Sequence, residues 1–230
     1  MNLLRPLIAA LCTALMLIAG TTSAHAAVPR HETTYREGDG VAPSFVDGGV
    51  TTAIAPGRTP TNVARSEVGW GTHYAGDRVV ANMRVTTNLG STSGSYVIVA
   101  QGHGPRGSAT NRIWGWPAWS VQVKRGRWHL ATGDPALGTE AWVDLGPYTD
   151  GATLNLRIEV VYAHSNRGSI NVYANNRHVG GRSNVTTIQR DHYAGLAFRT
   201  GAYTRPLSGP MPTWRRTVRV HDLSIARSRV

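Results

Sequence analysis

Hydrophobic and polar positions alternate along most of this chain, and the period is two. In Ser120–Lys124, Val121 and Val123 face one way. Leu154, Leu156, Ile158 and Val160 alternate with Asn155, Arg157 and Glu159, and Ile170, Val172 and Ala174 alternate with Ser169, Asn171 and Tyr173. Such spacing predicts β-strands with one buried face. Asn175-Asn176 and Arg125-Gly126 have the composition of two-residue hairpin turns. In the last strand Val218 and Val220 share one parity, and Leu223 and Ile225 share the other. A β-bulge near His221-Asp222 absorbs that slip. No segment shows a helical period, a heptad or an internal repeat. Ala27–Gly40 is polar and reads as a loose lead-in. The expectation is an all-β sandwich, a β-jelly roll of two curved antiparallel sheets with one polar concave face.

Three polar strings interrupt the alternation: Arg65-Ser66-Glu67, Gln101-Gly102-His103 and Arg199-Thr200-Gly201-Ala202-Tyr203. Side chains two or four residues apart on a strand share a face. Arg65 therefore pairs with Glu67, Gln101 with His103, and Arg199 with Tyr203. Leu196, Phe198 and Ala202 on one strand, and Ile98 and Ala100 on another, are placed on the opposite, inward face.

The amino-terminal segment changes where this chemistry takes place. Arg5 precedes the apolar run Leu7–Ile18, which is short for a membrane span, and Ala24-His25-Ala26 has the small residues of a cleavage site. Residues 1–26 are read as a secretory signal peptide and 27–230 as a single domain, secreted and not membrane-bound. The only cysteine, Cys12, lies in the signal, so the mature domain has no disulfides and relies on core packing. The chain carries 24 basic and 13 acidic residues, and Lys124 is its only lysine. Arginine grips a carboxylate or sulfate with two donors at once. An exported, arginine-rich surface suits an anionic partner outside the cytoplasm: an acidic polysaccharide, a nucleic acid or an anionic lipid.

Elimination from a uronic-acid polymer needs three things. The carboxylate charge must be neutralised, a base must take the hydrogen on the adjacent carbon, and an acid must protonate the departing glycosidic oxygen. Arg65 and Gln101 have the donors for the first task, His103 suits the second, and Tyr203 the third. Tyr203 also suits the second if deprotonated. Each residue has a plainer reading as well: a satisfied core histidine, a packed tyrosine, a cross-strand Arg65–Glu67 ion pair. Trp114 and Trp116 are candidate sugar platforms or packing groups. Trp119 shares the parity of Val121 and is placed in the core, and Trp70 fits either role. His73, His129, His164, His178 and His192 are too scattered to predict a metal site.

The strings Arg-Ser-Glu, Gln-x-His and aromatic/basic-x-Gly-x-Tyr, in this order, resemble those of the jelly-roll polysaccharide lyases, a group that includes alginate lyases, glucuronan lyases and heparin-lyase-like families. Pro117–Leu130 resembles the hairpin that follows Gln-x-His in the heparin-lyase-like branch, and Val218–Ala226 its closing strand. The resemblance spans 64–226 and implies a concanavalin-like jelly roll. It further implies a metal-independent polysaccharide lyase with His103, Tyr203, Gln101 and Arg65 as catalytic residues. Arg199, Glu67, Arg205, Trp114 and Trp116 would bind substrate, with Glu67 holding Arg65 in place. Arg199 stands where the family usually has lysine, and Arg205 where some members carry glutamine. Gly102 stands where a bulkier residue is usual, which predicts a looser cleft floor. No cofactor is required, although the family includes members with structural calcium. The expected partner is glucuronan, alginate or a glycosaminoglycan, acted on by a monomer, with no nucleic acid and no membrane involved.

Among other functions, a glycoside hydrolase needs two flanking carboxylates, which are not paired on any predicted strand. A serine hydrolase needs Gly-x-Ser-x-Gly, which is absent from the sequence. The rival that uses the same fold is a non-catalytic carbohydrate-binding module for acidic polysaccharide.

Overall fold

The computed structural model describes residues 33–46, 49–57, 63–104, 117–133, 140–188, 195–206 and 213–230. The signal-peptide assignment to residues 1–26 and the candidates Trp114, Trp116 and His192 lie outside the described residues. The first seven strands are β1 (Thr33–Glu37), β2 (Gly40–Val46), β3 (Gly49–Ile54), β4 (Ala64–His73), β5 (Asp77–Asn88), β6 (Ser95–His103) and β7 (Trp119–Lys124). They are followed by β8 (Arg127–Thr132), β9 (Ala141–Pro147), β10 (Thr153–Val161), β11 (Gly168–Ala174), β12 (Arg177–Val185), β13 (Leu196–Pro206) and β14 (Arg216–Arg229). They form two antiparallel sheets, ordered β1-β4-β13-β6-β7-β8-β9 and β12-β11-β10-β5-β14-β3-β2. This is the all-β jelly-roll sandwich that the alternation predicts.

One face of each sheet builds the core. Val68, Trp70, Val97, Val99, Trp119, Val121 and Phe198 from the first sheet meet Val79, Val85, Ile158, Val160, Ile170, Val172 and Val220 from the second. Each fully buried aliphatic or aromatic side chain contributes about 1.5–3 kcal/mol, which suits a domain that lacks cross-links. Trp119 is fully buried, as its parity predicts, and Trp70 joins it, donating from Nε1 to Thr200 Oγ1 at 2.8 Å. The two hairpin turns form where expected, with positive φ at Arg125, Gly126, Asn175 and Asn176. The β14–β5 register shifts between His221 and Ser224, so Val220 and Leu223 both reach the core across the bulge.

Two local expectations are overturned. Thr33–Glu37 is not a loose lead-in. It is strand β1, paired along its length with β4. Ile98 does not face inward with Ala100. The β6–β7 register shifts between Ile98 and Ala100, so Val99 and Ala100 both turn to the core while Ile98 packs with Tyr96 and Tyr203 on the outer face.

His73 ties the end of β4 into the core. Its ring stacks on Tyr162 at 5.5 Å, and Nε2 lies 3.3 Å from the Trp70 carbonyl, so Nε2 carries the hydrogen. Nδ1 is buried with no hydrogen-bond partner. Burial holds the imidazole below its ordinary pKa, against the opposing pull of the Trp70 carbonyl and Asp77. A group whose folded pKa is depressed stabilises the fold above its unfolded value of about 6.5, and that contribution is lost as pH falls through the folded value. Thermal unfolding followed from pH 8 to pH 5 should therefore show a falling Tm below about 6.5. His73→Phe should fall less steeply. An unchanged slope would remove His73 as a cause, leaving His129 and His221, which burial also depresses.

Candidate active site

Strand register brings the three strings together. On the outer face of the first sheet, β13 lies between β4 and β6. Tyr203 pairs with Arg65 on one side and Ile98 on the other, and Arg199 with Gly69 and Gln101. Gly201 lies opposite Glu67, and Ala197 opposite His103. From the far side of β4, β1 sets Tyr35 opposite Glu67 and Glu37 opposite Arg65. Arg65, Glu67, Gln101, His103, Arg199 and Tyr203 thus occupy adjacent positions, and all are buried.

Glu67 is the hub. It is 0% exposed. Gln101 Nε2 donates to its Oε1 at 2.5 Å, and Arg65 Nε stands 3.4 Å from Oε2 in an ion pair. Arg65 also reaches Glu37 at 3.8 Å. Burial pushes the Glu67 carboxyl up, while Arg65, Arg199 and the Gln101 hydrogen bond pull it down. Arg65 and Arg199 thus flank Glu67 from two sides, and Arg65 is shared with the partly exposed Glu37.

Arg199 is fully buried. Its Nη2 donates to the Gly104 carbonyl at 2.6 Å, and its guanidinium lies 3.6 Å from the Tyr35 ring centroid. Burial lowers its pKa, and Glu67 raises it. The same Gly104 oxygen lies 2.9 Å from His103 Nδ1. A carbonyl can only accept, so Nδ1 carries the hydrogen, and in the neutral ring Nε2 holds the lone pair. One backbone oxygen thus anchors Arg199 and fixes the tautomer of His103.

Tyr203 is 5% exposed. The Arg65 guanidinium carbon lies 4.8 Å from its ring centroid, and the Tyr96 ring 6.4 Å away. Burial raises the phenol's pKa, and Arg65 opposes the shift. Arg205, half-buried and paired across the strands with Tyr96, adds a second positive field that lowers both phenols.

Two glycines shape the site. Gly201 has φ +143°, and a Cβ there would stand 2.4 Å from the Ser66 carbonyl oxygen. Only glycine lets β13 approach β4 this closely at the midpoint between Arg199 and Tyr203. Gly201→Ala should cost about 1–3 kcal/mol by overpacking and displace both neighbours. Denaturant unfolding and the rate on substrate should drop together, and a fully stable, fully active variant would show that the close approach is dispensable. Gly102 does not loosen the floor of the site. It faces the core, where a Cβ would stand 2.3 Å from Trp119 Nε1, and the indole fills that space.

Tyr35, Glu37 and Tyr96 are site residues that the sequence reading missed. Tyr35 and Glu37 lie in a short strand without an apolar face, and Tyr96 reaches the site only because of the bulge in β6. Among the described residues no group of three or more His, Cys, Asp or Glu is arranged to hold a metal ion.

No protein-family model matches the chain. No curated protein matches its sequence either. Solved structures do match its fold. An endo-β-1,4-glucuronan lyase from the fungus Trichoderma reesei superposes with a TM-score of 0.66 at 15% identity, over 85% of this chain and 90% of that one. An alginate lyase from Alteromonas sp. 272 gives 0.54 at 19% identity, over 86% and 95%. An alginate lyase from Corynebacterium sp. gives 0.51 at 16% identity, over 78% and 77%. With its two sheets, its strand order and these superpositions, the chain has the β-jelly-roll fold of the polysaccharide lyases.

Proposed function

We propose that this protein is a secreted polysaccharide lyase that cleaves a polyuronate by β-elimination. The observation that carries the reading is the meeting of Arg65, Gln101, His103, Arg199 and Tyr203 around Glu67, with the tautomer of His103 set by the Gly104 carbonyl. Arg65 and the remaining N–H of Gln101 receive the uronate carboxylate, whose charge grows as the adjacent carbon loses its proton. His103 Nε2 takes that proton. The bond from the neighbouring carbon to the glycosidic oxygen breaks, a carbon–carbon double bond forms, and the Tyr203 hydroxyl passes its proton to the leaving oxygen. The products are an unsaturated uronate and a new chain end. The imidazolium and the phenolate left behind reset each other by proton exchange through solvent.

The raised pKa of Tyr203 favours this division of labour, because a phenol that stays protonated serves as acid and not as base. Glu67 and Arg199 act behind the reacting groups, setting the positions of Arg65, Gln101 and the Gly104 carbonyl. The likeness in fold to glucuronan and alginate lyases supports a non-sulfated polyuronate as substrate. The reaction written here needs no metal or organic cofactor.

The test is incubation of the secreted protein with glucuronan, alginate, hyaluronan and heparin while the ultraviolet absorbance of the conjugated double bond is followed. A rise on at least one polymer supports elimination. Retention on these polymers with no absorbance change on any would replace it with the carbohydrate-binding module.

A further inference from the structure

The second sheet turns its outer face away from the candidate active site. There β10, β5 and β14 frame an open groove of about 290 Å³ lined in part by Asn82, Arg84, Asn155, Arg157, Asn176 and Asp222. Register explains the arrangement. Asn155 lies opposite Arg84, and Arg157 opposite Asn82. The two arginines therefore occupy one diagonal of a four-residue patch, about 7–8 Å apart, and the two asparagines the other. Asn176 enters from the β11–β12 turn, which is pinned to β10 where the Asn155 amide donates to Asn175 Oδ1 at 3.1 Å. The bulge in β14 turns Asp222 outward, 3.0 Å from Arg84. Arg157 pairs with Glu159 and lies over the Tyr173 ring, 4.9 Å from its centroid. Both guanidinium groups are thus held in place, and both side chains are about half exposed. A guanidinium has five N–H donors, so one carboxylate neighbour leaves donors for a ligand. Charge on this face is unbalanced. Among the described residues, Arg78, Arg84, Arg157 and Arg219 share it with two carboxylates, Glu159 and Asp222. His221 feels that field: burial first, and then Arg219 and Arg84, hold its imidazole below its ordinary pKa.

We propose that this groove is a separate, non-catalytic binding site for polyuronate, which anchors the enzyme to a neighbouring strand of polymer while the first sheet cuts. The inference rests on the polyuronate reading above. One uronate carboxylate takes N–H donors from Arg84 and Arg157. The amides of Asn82, Asn155 and Asn176 both donate and accept, and they pair with ring hydroxyls. Duplex nucleic acid carries a charge about every 1.7 Å along its axis and asks for a longer basic track. One arginine pair set among three amides fits a polymer with one acid group per sugar ring. The layers of a sandwich pack about 10 Å apart, and the two sites look out from opposite sides of it. A short oligosaccharide fills one site at a time. A gelled polymer offers strands to both, and the second contact then forms at high effective concentration. The groove governs retention by polymer and leaves the cleavage step untouched.

Arg84→Gln combined with Arg157→Gln removes both charges at the surface, and Glu159 keeps Arg78 at 3.2 Å. In electrophoresis through gels containing glucuronan or alginate, with migration referred to a polymer-free gel, this double variant should show an apparent Kd raised about tenfold. Asn82→Asp, which sets a further carboxylate between the arginines, should act in the same direction. Turnover of a soluble trisaccharide should be unchanged in both. Arg127→Gln combined with Arg215→Gln removes the same charge from other exposed positions and should be retarded like wild type. Three results overturn the proposal: no retardation of wild type, equal retardation of wild type and the Arg84/Arg157 variant, or an equal loss in the Arg127/Arg215 control. A loss confined to gels containing double-stranded DNA also overturns it and assigns the face to nucleic acid. If the wild-type protein eliminates no polyuronate, the catalytic reading falls by itself, and the gels still decide the groove.

Discussion

Tyr203→Phe is expected to lower kcat on a polyuronate by about 10²–10⁴ without unfolding the protein. The substitution removes one hydroxyl and keeps the ring that packs with Tyr96, Ile98 and the Arg65 guanidinium. Substrate should still bind, because the proposed carboxylate contacts belong to Arg65 and Gln101, so the loss should appear in kcat far more than in KM. The pH profile offers an independent reading. In the proposed reaction Tyr203 enters protonated, and burial holds its pKa above that of an ordinary phenol. Its alkaline limb should therefore lie above about pH 10, not near neutrality. His103→Ala should show a loss of similar size, since it takes away the lone pair that receives the proton. If Tyr203→Phe were as fast as wild type, the proton would have to come from elsewhere and the division of roles would be wrong.

Glu67→Ala should produce the largest loss of stability of any single substitution at the site, about 3–5 kcal/mol. Glu67 is fully buried between Arg65 and Gln101, and Arg199 feels its charge. Removing the carboxylate leaves the buried Arg199 without its carboxylate and Arg65 with only the partly exposed Glu37 at 3.8 Å. The cost comes chiefly from those orphaned cations and much less from the lost contact energy. Glu67→Gln should fall between wild type and Glu67→Ala, because an amide keeps the volume and one acceptor. Guanidinium chloride unfolding of the three proteins measures the series. A Glu67→Ala midpoint equal to that of wild type would mean that water or a bound anion neutralises the arginines.

What could be read from the sequence was whatever parity controls. Arg65 with Glu67, Gln101 with His103, and Arg199 with Tyr203 are each an even number of residues apart, and the register shift between Thr200 and Tyr203 in the β13–β6 pairing leaves Arg199 and Tyr203 on one face. Their placement on one face needed only the pleat of a strand. The same rule failed at Ile98, because the extra residue in β6 reverses the parity on either side of it. A bulge leaves a trace in sequence when both flanks are apolar, as at Val220 and Leu223. It leaves none in Tyr96-Val97-Ile98-Val99-Ala100, where nearly every residue is apolar. β1 was missed for the opposite reason. Thr33–Glu37 is an edge strand with no fully buried residue, so its alternation has nothing to contrast.

The placement of the first and last strands bears on how this protein should be handled. β1 begins at Thr33, opposite Gly69 and so two strands from Arg199, whereas β14 ends in the other sheet, where the Val230 amide donates to the Gly76 carbonyl at 2.9 Å. A purification handle or fused reporter spliced directly ahead of Thr33 would crowd the proposed cleft. The same addition after Val230 would project from the rear layer and leave that cleft clear.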